Sequence, residues 1–135
     1  RKNPPNYVER SHALLGRTVD AGRVWDVIAA AQYLAAGDGQ PAVFVAGQGA
    51  AGVLAGYAAA LDERIAGATL VSPPASHMAA GAPQFLNVLR VCDVPDALGL
   101  LAPRPLTIVA SPADDFAPAS AAYAAAGAAE KLNIK

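Results

Sequence analysis

The sequence predicts an α/β domain: three to four parallel strands flanked by helices in a three-layer α/β/α arrangement. Three observations carry this. Short, continuously apolar runs alternate with longer stretches of helical spacing, the pattern of β-α-β crossovers. The strand candidate Val43–Ala46 is a continuous apolar run, as expected of a strand covered on both faces, and Ala66–Ser72 and Leu106–Ala110 read as a second and a third strand. Residues 39–61 carry no charge and join a strand, a glycine turn and a small-residue helix. With 54% apolar and only 16% charged residues, the chain has the composition to bury a core and does not read as disordered.

The elements follow in order. Residues 1–135 form a single domain, of which 1–16 are an N-terminal extension and 17–135 the core. Arg17–Ala36 places Val19, Val24, Ile28, Ala31 and Leu34 at amphipathic helical spacing. Gly37-Asp38-Gly39 stops that helix and Pro41 opens the first strand. Ala50–Leu61 is a helix whose glycines and alanines permit close approach to a sheet, and Pro73-Pro74 ends the second strand. The long connection 73–103 holds two apolar stretches, Phe85–Arg90 and Ala97–Leu101, expected to cover the sheet edge. After the third strand, Pro118–Leu132 reads as an alanine-rich helix with proline near its start, where proline is tolerated. Asn133-Ile134-Lys135 can begin a fourth strand. So small a sheet in so apolar a chain leaves a hydrophobic edge unpaired, which natural proteins avoid. The expectation is therefore the later part of a larger α/β domain.

Composition also excludes classes of partner. The formal net charge is −1 and no Lys/Arg cluster occurs, so neither nucleic acid nor an anionic membrane is favoured. The lone Cys92 rules out an internal disulfide, and two histidines with scattered acids give no metal-ligand spacing; no metal or cofactor is expected. The uncharged run with Gly52-x-x-x-Gly56 has the look of a membrane helix. However, Pro41 and the Gly47–Gly52 cluster interrupt the ~20 apolar residues a span needs. The chain starts at Arg1 with no signal-like stretch, which reads as a fragment or processed form and leaves localisation open.

The glycine turn supports two chemistries. Gly47-x-Gly49-x-x-Gly52 spells the dinucleotide fingerprint, with a pyrophosphate resting on the first turn of the helix that follows. That reading needs an acid at the end of the next strand to hold the ribose, but the strand ends Leu70-Val71-Ser72-Pro73. Asp62 and Glu63 precede it and read as solvated charges at the helix exit. Alternatively, Gly49 stands where the nucleophile elbow Gly-x-Ser-x-Gly has its serine.

The second alternative accounts for more of the chain. Arg23–Leu34, Val43–Gly52, Ile65–Pro74 and Ala102–Pro118 follow one another as the pre-nucleophile helix, the nucleophile strand with its elbow, the next strand, and the strand and loop that deliver the acid. From Arg17 onward the sequence resembles the C-terminal half of an α/β-hydrolase. Within that superfamily it is most similar to the acetyl-xylan-esterase and dienelactone-hydrolase-like group. The resemblance puts Gly49 at the nucleophile position, which is vacated, and makes Ala50 an oxyanion N–H donor. It puts Asp114 at the acid position, with Asp115 as a one-residue alternative. It implies a small ester or acylated carbohydrate as substrate, a histidine beyond the last strand and a second oxyanion donor upstream, both in the remaining part of a larger chain. Loss of the serine from such a triad costs on the order of a millionfold in turnover.

Other candidates stand beside these. Ser76-His77 is a nucleophile–base pair by residue type, but adjacent side chains usually point apart. Ser111 can steady the Asp114 loop, Cys92 sits in an apolar context as a packed small residue, and His12 has no identifiable partner. Asp114-Asp115 reads either as a paired-carboxylate site or as a solvated turn. Arg90 and Arg104 can bind an anionic substrate or pair with Asp93 or Asp96. The expected function is an esterase-related hydrolase domain lacking its own serine, impaired or part of a larger protein. The alternatives are a dinucleotide-binding module and a non-catalytic binding or structural module.

Overall fold

A computed structural model describes residues 7–37, 39 and 41–135. The start of the N-terminal extension, and Asp38 of the expected helix stop, lie outside these described residues. The elements run α1 (Tyr7–Leu14), α2 (Val19–Ala35), β1 (Val43–Gln48), α3 (Ala50–Leu61), β2 (Ile65–Val71), α4 (Val94–Gly99), β3 (Leu106–Val109), α5 (Ala117–Ala125) and β4 (Leu132–Ile134). The four strands form one sheet in the order β1-β2-β3-β4, every pair parallel. The fold is thus α/β, as the alternation predicts, and consistent with a three-layer α/β/α arrangement.

Because each crossover steps one strand in the same direction, right-handed connections put α3, α4 and α5 on one face of the sheet. That face carries Val43, Ala68, Leu70, Leu106 and Ile108, which form one core with Val24, Ile28, Val53, Leu98, Phe116 and Tyr123. The opposite face, where the other helical layer of such an arrangement belongs, aligns Phe44 with Gly67, and Ala46 with Thr69, Thr107 and Asn133. Phe44 and Ala46 are exposed and Thr69 and Thr107 half-buried. This corrects one expectation: β1 is covered on one face only, so its apolar run reflects composition rather than two-sided burial.

Three further expectations change. The last helix ends at Ala125, because Gly127 takes a left-handed conformation (φ 66°) and turns the chain into β4. The stretch 97–101 does not cover the sheet edge; α4 inserts into the helical layer, with Leu98 beneath α3 and Gly99 against Ala122 of α5. Asp93 and Asp96 do not pair with arginine because they cap α4. The Asp93 carboxylate accepts the Val94 N–H (2.8 Å), and Asp96 accepts the Asp93 N–H (2.9 Å).

Asp62, expected to be solvated, is buried. It caps the end of α3 and accepts from Gln32 Nε2 (2.8 Å) and from Arg64 Nε and Nη2 (2.9 and 2.8 Å). Arg104 donates to the carbonyls of Asp62 and Ile65 at 3.0 and 2.8 Å, and the fully buried Tyr123 hydroxyl donates to the Arg104 carbonyl at 2.6 Å. Burial pushes the Tyr123 phenol up to about 12. This network ties the N-terminal ends of the strands and leaves their C-terminal ends free for chemistry.

The Asp62 network has a pH signature. Hydrogen bonds from Arg64 and then Gln32 hold the Asp62 carboxyl well below the ordinary carboxylate value of 3.8. A depressed folded-state value means stability present above the unfolded value and lost as pH falls through the folded one. Asp62→Asn is expected to cost about 1–2 kcal/mol at pH 7, the low end for charged hydrogen bonds because Arg64 is largely exposed. That difference should shrink only below about pH 4. Urea midpoints of both proteins from pH 2 to 8 check this, and a gap unchanged by acid would count against it.

Candidate functional site

The exits of β1, β2 and β3 lie side by side at the C-terminal edge of the sheet, where parallel α/β folds place ligands. The first residue past each strand donates its N–H to the neighbouring strand or its extension. Gly49 reaches the Val71 carbonyl (2.9 Å), Ser72 that of Val109 (2.8 Å), and Ala110 that of Lys135 (2.7 Å). All three have positive φ, at 57°, 45° and 57°. For Ser72 and Ala110 this is a strained backbone, of a kind that clusters at functional sites.

Gly49 is the sharpest of these turns. Its backbone (φ 57°, ψ −129°) lies outside both helix and strand, with β1 ending at Gln48 on one side and α3 starting at Ala50 on the other. The turn is tight because Gly47 lies against the first turn of α3, where a Cβ would sit 2.4 Å from the Ala51 carbonyl oxygen. A Cβ on Gly49 would meet nothing within 4 Å, so that position faces open space. The N–H of Ala50, at the first position of α3, has no intrahelical acceptor, and the helix dipole adds partial positive charge there.

Asp114 and Asp115 lie in a short 3₁₀ turn (Ala113–Phe116) just past β3, at the same edge of the sheet. Both are exposed, and neither carboxylate has a side-chain partner among the described residues. Phe116 of that turn is fully buried and anchors it. Ser111 is half-buried beside it. The end of β2 presents Ser72, not the carboxylate a dinucleotide ribose requires.

Ser76 and His77 do not form a dyad. The Ser76 hydroxyl accepts the Met78 N–H (3.1 Å), while the His77 ring points to α3. Its Nδ1 lies 3.0 Å from the Pro83 carbonyl, which only accepts, so Nδ1 carries the proton. In the neutral ring, Nε2 accepts from the Tyr57 hydroxyl at 2.7 Å. Burial first, and then the electrostatic influence of Cys92, Asp93 and Asp96, pushes the Tyr57 phenol far up, so the hydroxyl keeps its proton. Phe85 stacks on Tyr57 (5.0 Å between centroids) and meets His77 edge-on. Burial of the Asp93 carboxyl is outweighed by hydrogen bonds from Ser76 and from the His77 and Val94 N–H groups, which lower it. The 73–92 connection is thus fastened to α3 through His77. Tyr57 and Phe85 were missed in the sequence, although Tyr57 is the lone aromatic in a helix otherwise built of small and aliphatic residues.

The remaining candidates resolve plainly. Cys92 is half-buried and its thiol is pushed up by burial, then by Asp96 and Asp93. His12 Nδ1 lies 2.8 Å from the Val8 carbonyl within α1. Among the described residues no cluster of three or more His, Cys, Asp or Glu can hold a metal ion, and no helix is long and apolar enough to cross a membrane. Compared with family models, curated proteins and solved structures, the chain finds no significant match.

Proposed function

We propose that this chain is an α/β-hydrolase-like domain related to carboxylic- and acetyl-ester hydrolases, in which Gly49 occupies the nucleophile position. The observation that carries the reading is the Gly49 turn: a positive-φ residue joining strand directly to helix, with its missing side chain aimed at open space. A serine there would project beside the Ala50 N–H, the arrangement in which one oxyanion donor follows the nucleophile. Asp114, just past β3, stands at the acid position, and the consecutive strand order fits the same reading. His77 does not supply the base, since both its ring nitrogens are engaged away from Gly49. The chain therefore holds the scaffold and one donor of an acyl-transfer site without its oxygen. It is a catalytically impaired domain or one part of a larger protein, its ligand a small ester or acylated carbohydrate.

Gly49→Ser tests this with p-nitrophenyl acetate. The wild-type chain is expected to leave the ester at its background rate. The variant is expected to acetylate slowly on the introduced hydroxyl, since serine without a base is a weak nucleophile. Intact-mass and peptide mass spectrometry read both. Wild-type hydrolysis as fast as the variant's, or acetylation of the variant elsewhere only, would remove the basis for the assignment.

A further inference from the structure

A second feature lies away from the strand exits. A cavity of about 600 Å³ opens between α1, the start of α2 and the segment 82–90; neither Gly49, Ala50 nor Asp114 lines it. Its volume falls in the range of small-molecule sites, roughly 300–1,000 Å³. One wall is held by Asp20, whose Oδ1 accepts Arg23 Nη1 (2.8 Å) and whose Oδ2 accepts the Gln84 N–H (2.7 Å). That carboxylate ties α2 to the 82–90 segment, with a partner on each oxygen. Phe85 and His77 form another wall, backed by Tyr57, and His77 offers ring surface because both of its nitrogens are taken.

The charges left over decide the ligand. Arg23 is neutralised by Asp20. Arg17 and Arg90 also line the cavity, and neither has an ion-pair partner among the described residues; Glu9 is the remaining acid. Two guanidiniums against one carboxylate leave a surplus of one positive charge beside the apolar surfaces of Val19, Phe85 and Leu86. A guanidinium fork matches a carboxylate in two parallel hydrogen bonds, while apolar walls take the rest of the molecule.

We propose that this cavity binds a small organic monoanion, a carboxylate carried on an apolar body. Arg17 and Arg90 hold the carboxylate and Phe85 packs against the body. Arg90 thereby acts on an anion rather than pairing with Asp93 or Asp96, both of which cap α4.

The probe is 4-phenylbutyrate, titrated into the wild-type chain by calorimetry, with the neutral 4-phenylbutyramide as comparison. The acid is expected to bind saturably and more weakly as salt rises. The amide, and the acid with Arg17→Gln or Arg90→Gln, should each bind roughly tenfold more weakly, the scale of a lost charge-assisted pair. Glu9→Gln should tighten binding by removing the opposing charge. Both arginines are exposed, so their glutamine variants should keep the wild-type melting profile. Equal affinity for acid and amide, unchanged affinity in the double glutamine variant, or no saturation by about 10 mM, beyond millimolar affinity, would each overturn the proposal.

Discussion

Replacing Gly47 by alanine is expected to cost more than about 4 kcal/mol, most of the stability of a domain this size. The added Cβ would sit 2.4 Å from the Ala51 carbonyl oxygen, 2.5 Å from its carbon and 2.6 Å from the Gly52 nitrogen. All three are backbone atoms, so no side-chain rotation relieves the overlap. The backbone cannot yield either. The Gly52 and Val53 N–H groups donate to the Gly49 carbonyl (3.0 and 3.4 Å), and Gly49 itself is pinned to Val71. Relief requires α3 to lift off the sheet, and α3 buries Val53, Leu54, Ala55, Ala58 and Ala59 in the core. Urea unfolding followed by circular dichroism measures the loss. A variant within about 1 kcal/mol of wild type, the range of ordinary tolerated substitutions, would mean that the turn is not wound as described.

How much was legible follows from how local each feature is. The helix Ala50–Leu61 was read to its ends because a strand, a glycine turn and a small-residue run are contiguous in sequence. The positive φ of Gly49 lies within the same few residues. The end of α5 was also encoded locally, at Gly127, but the alanine-rich composition on both sides outweighed one glycine in the reading. Helix α1 buries no residue, so no apolar stripe announces it. Asp62 reads as solvated because only its partner Arg64 is local; Gln32, which donates to the carboxylate, and Arg104, which donates to the Asp62 carbonyl, are distant in sequence and only the fold brings them to the end of α3. His77 is singled out by its sequence, but with Ser76 as partner; its actual partners Tyr57 and Phe85 are unremarkable alone, and the cluster exists only once the 73–92 connection folds back. The anion-binding option for Arg90 was visible; what sequence did not reveal is that Asp93 and Asp96 are spent as caps.

Cysteine at position 49 should be a fast-reacting thiol, even though Cys92 in the same chain is a slow one. The two sites differ in every term that sets thiolate fraction. Position 49 faces open space at the N-terminus of α3, where free N–H groups and the helix dipole stabilise an anion. Cys92 is half-buried, and its thiol is pushed up by burial and by two carboxylates. In a Cys92→Ser background, Gly49→Cys is therefore expected to react with iodoacetamide at pH 7 roughly a hundredfold faster than Cys92 does in the wild type. The midpoint of its pH profile should lie below the ordinary thiol value of about 8.5. The positive-φ backbone of this turn (φ 57°, ψ −129°) costs a non-glycine residue about 1–3 kcal/mol, less than the Gly47→Ala effect, so the variant should still fold. A midpoint at or above the ordinary value would mean that the turn does not aim its side chain at the helix N-terminus. The oxyanion role assigned to Ala50 would fall with it, because the same N–H groups are asked to stabilise both anions.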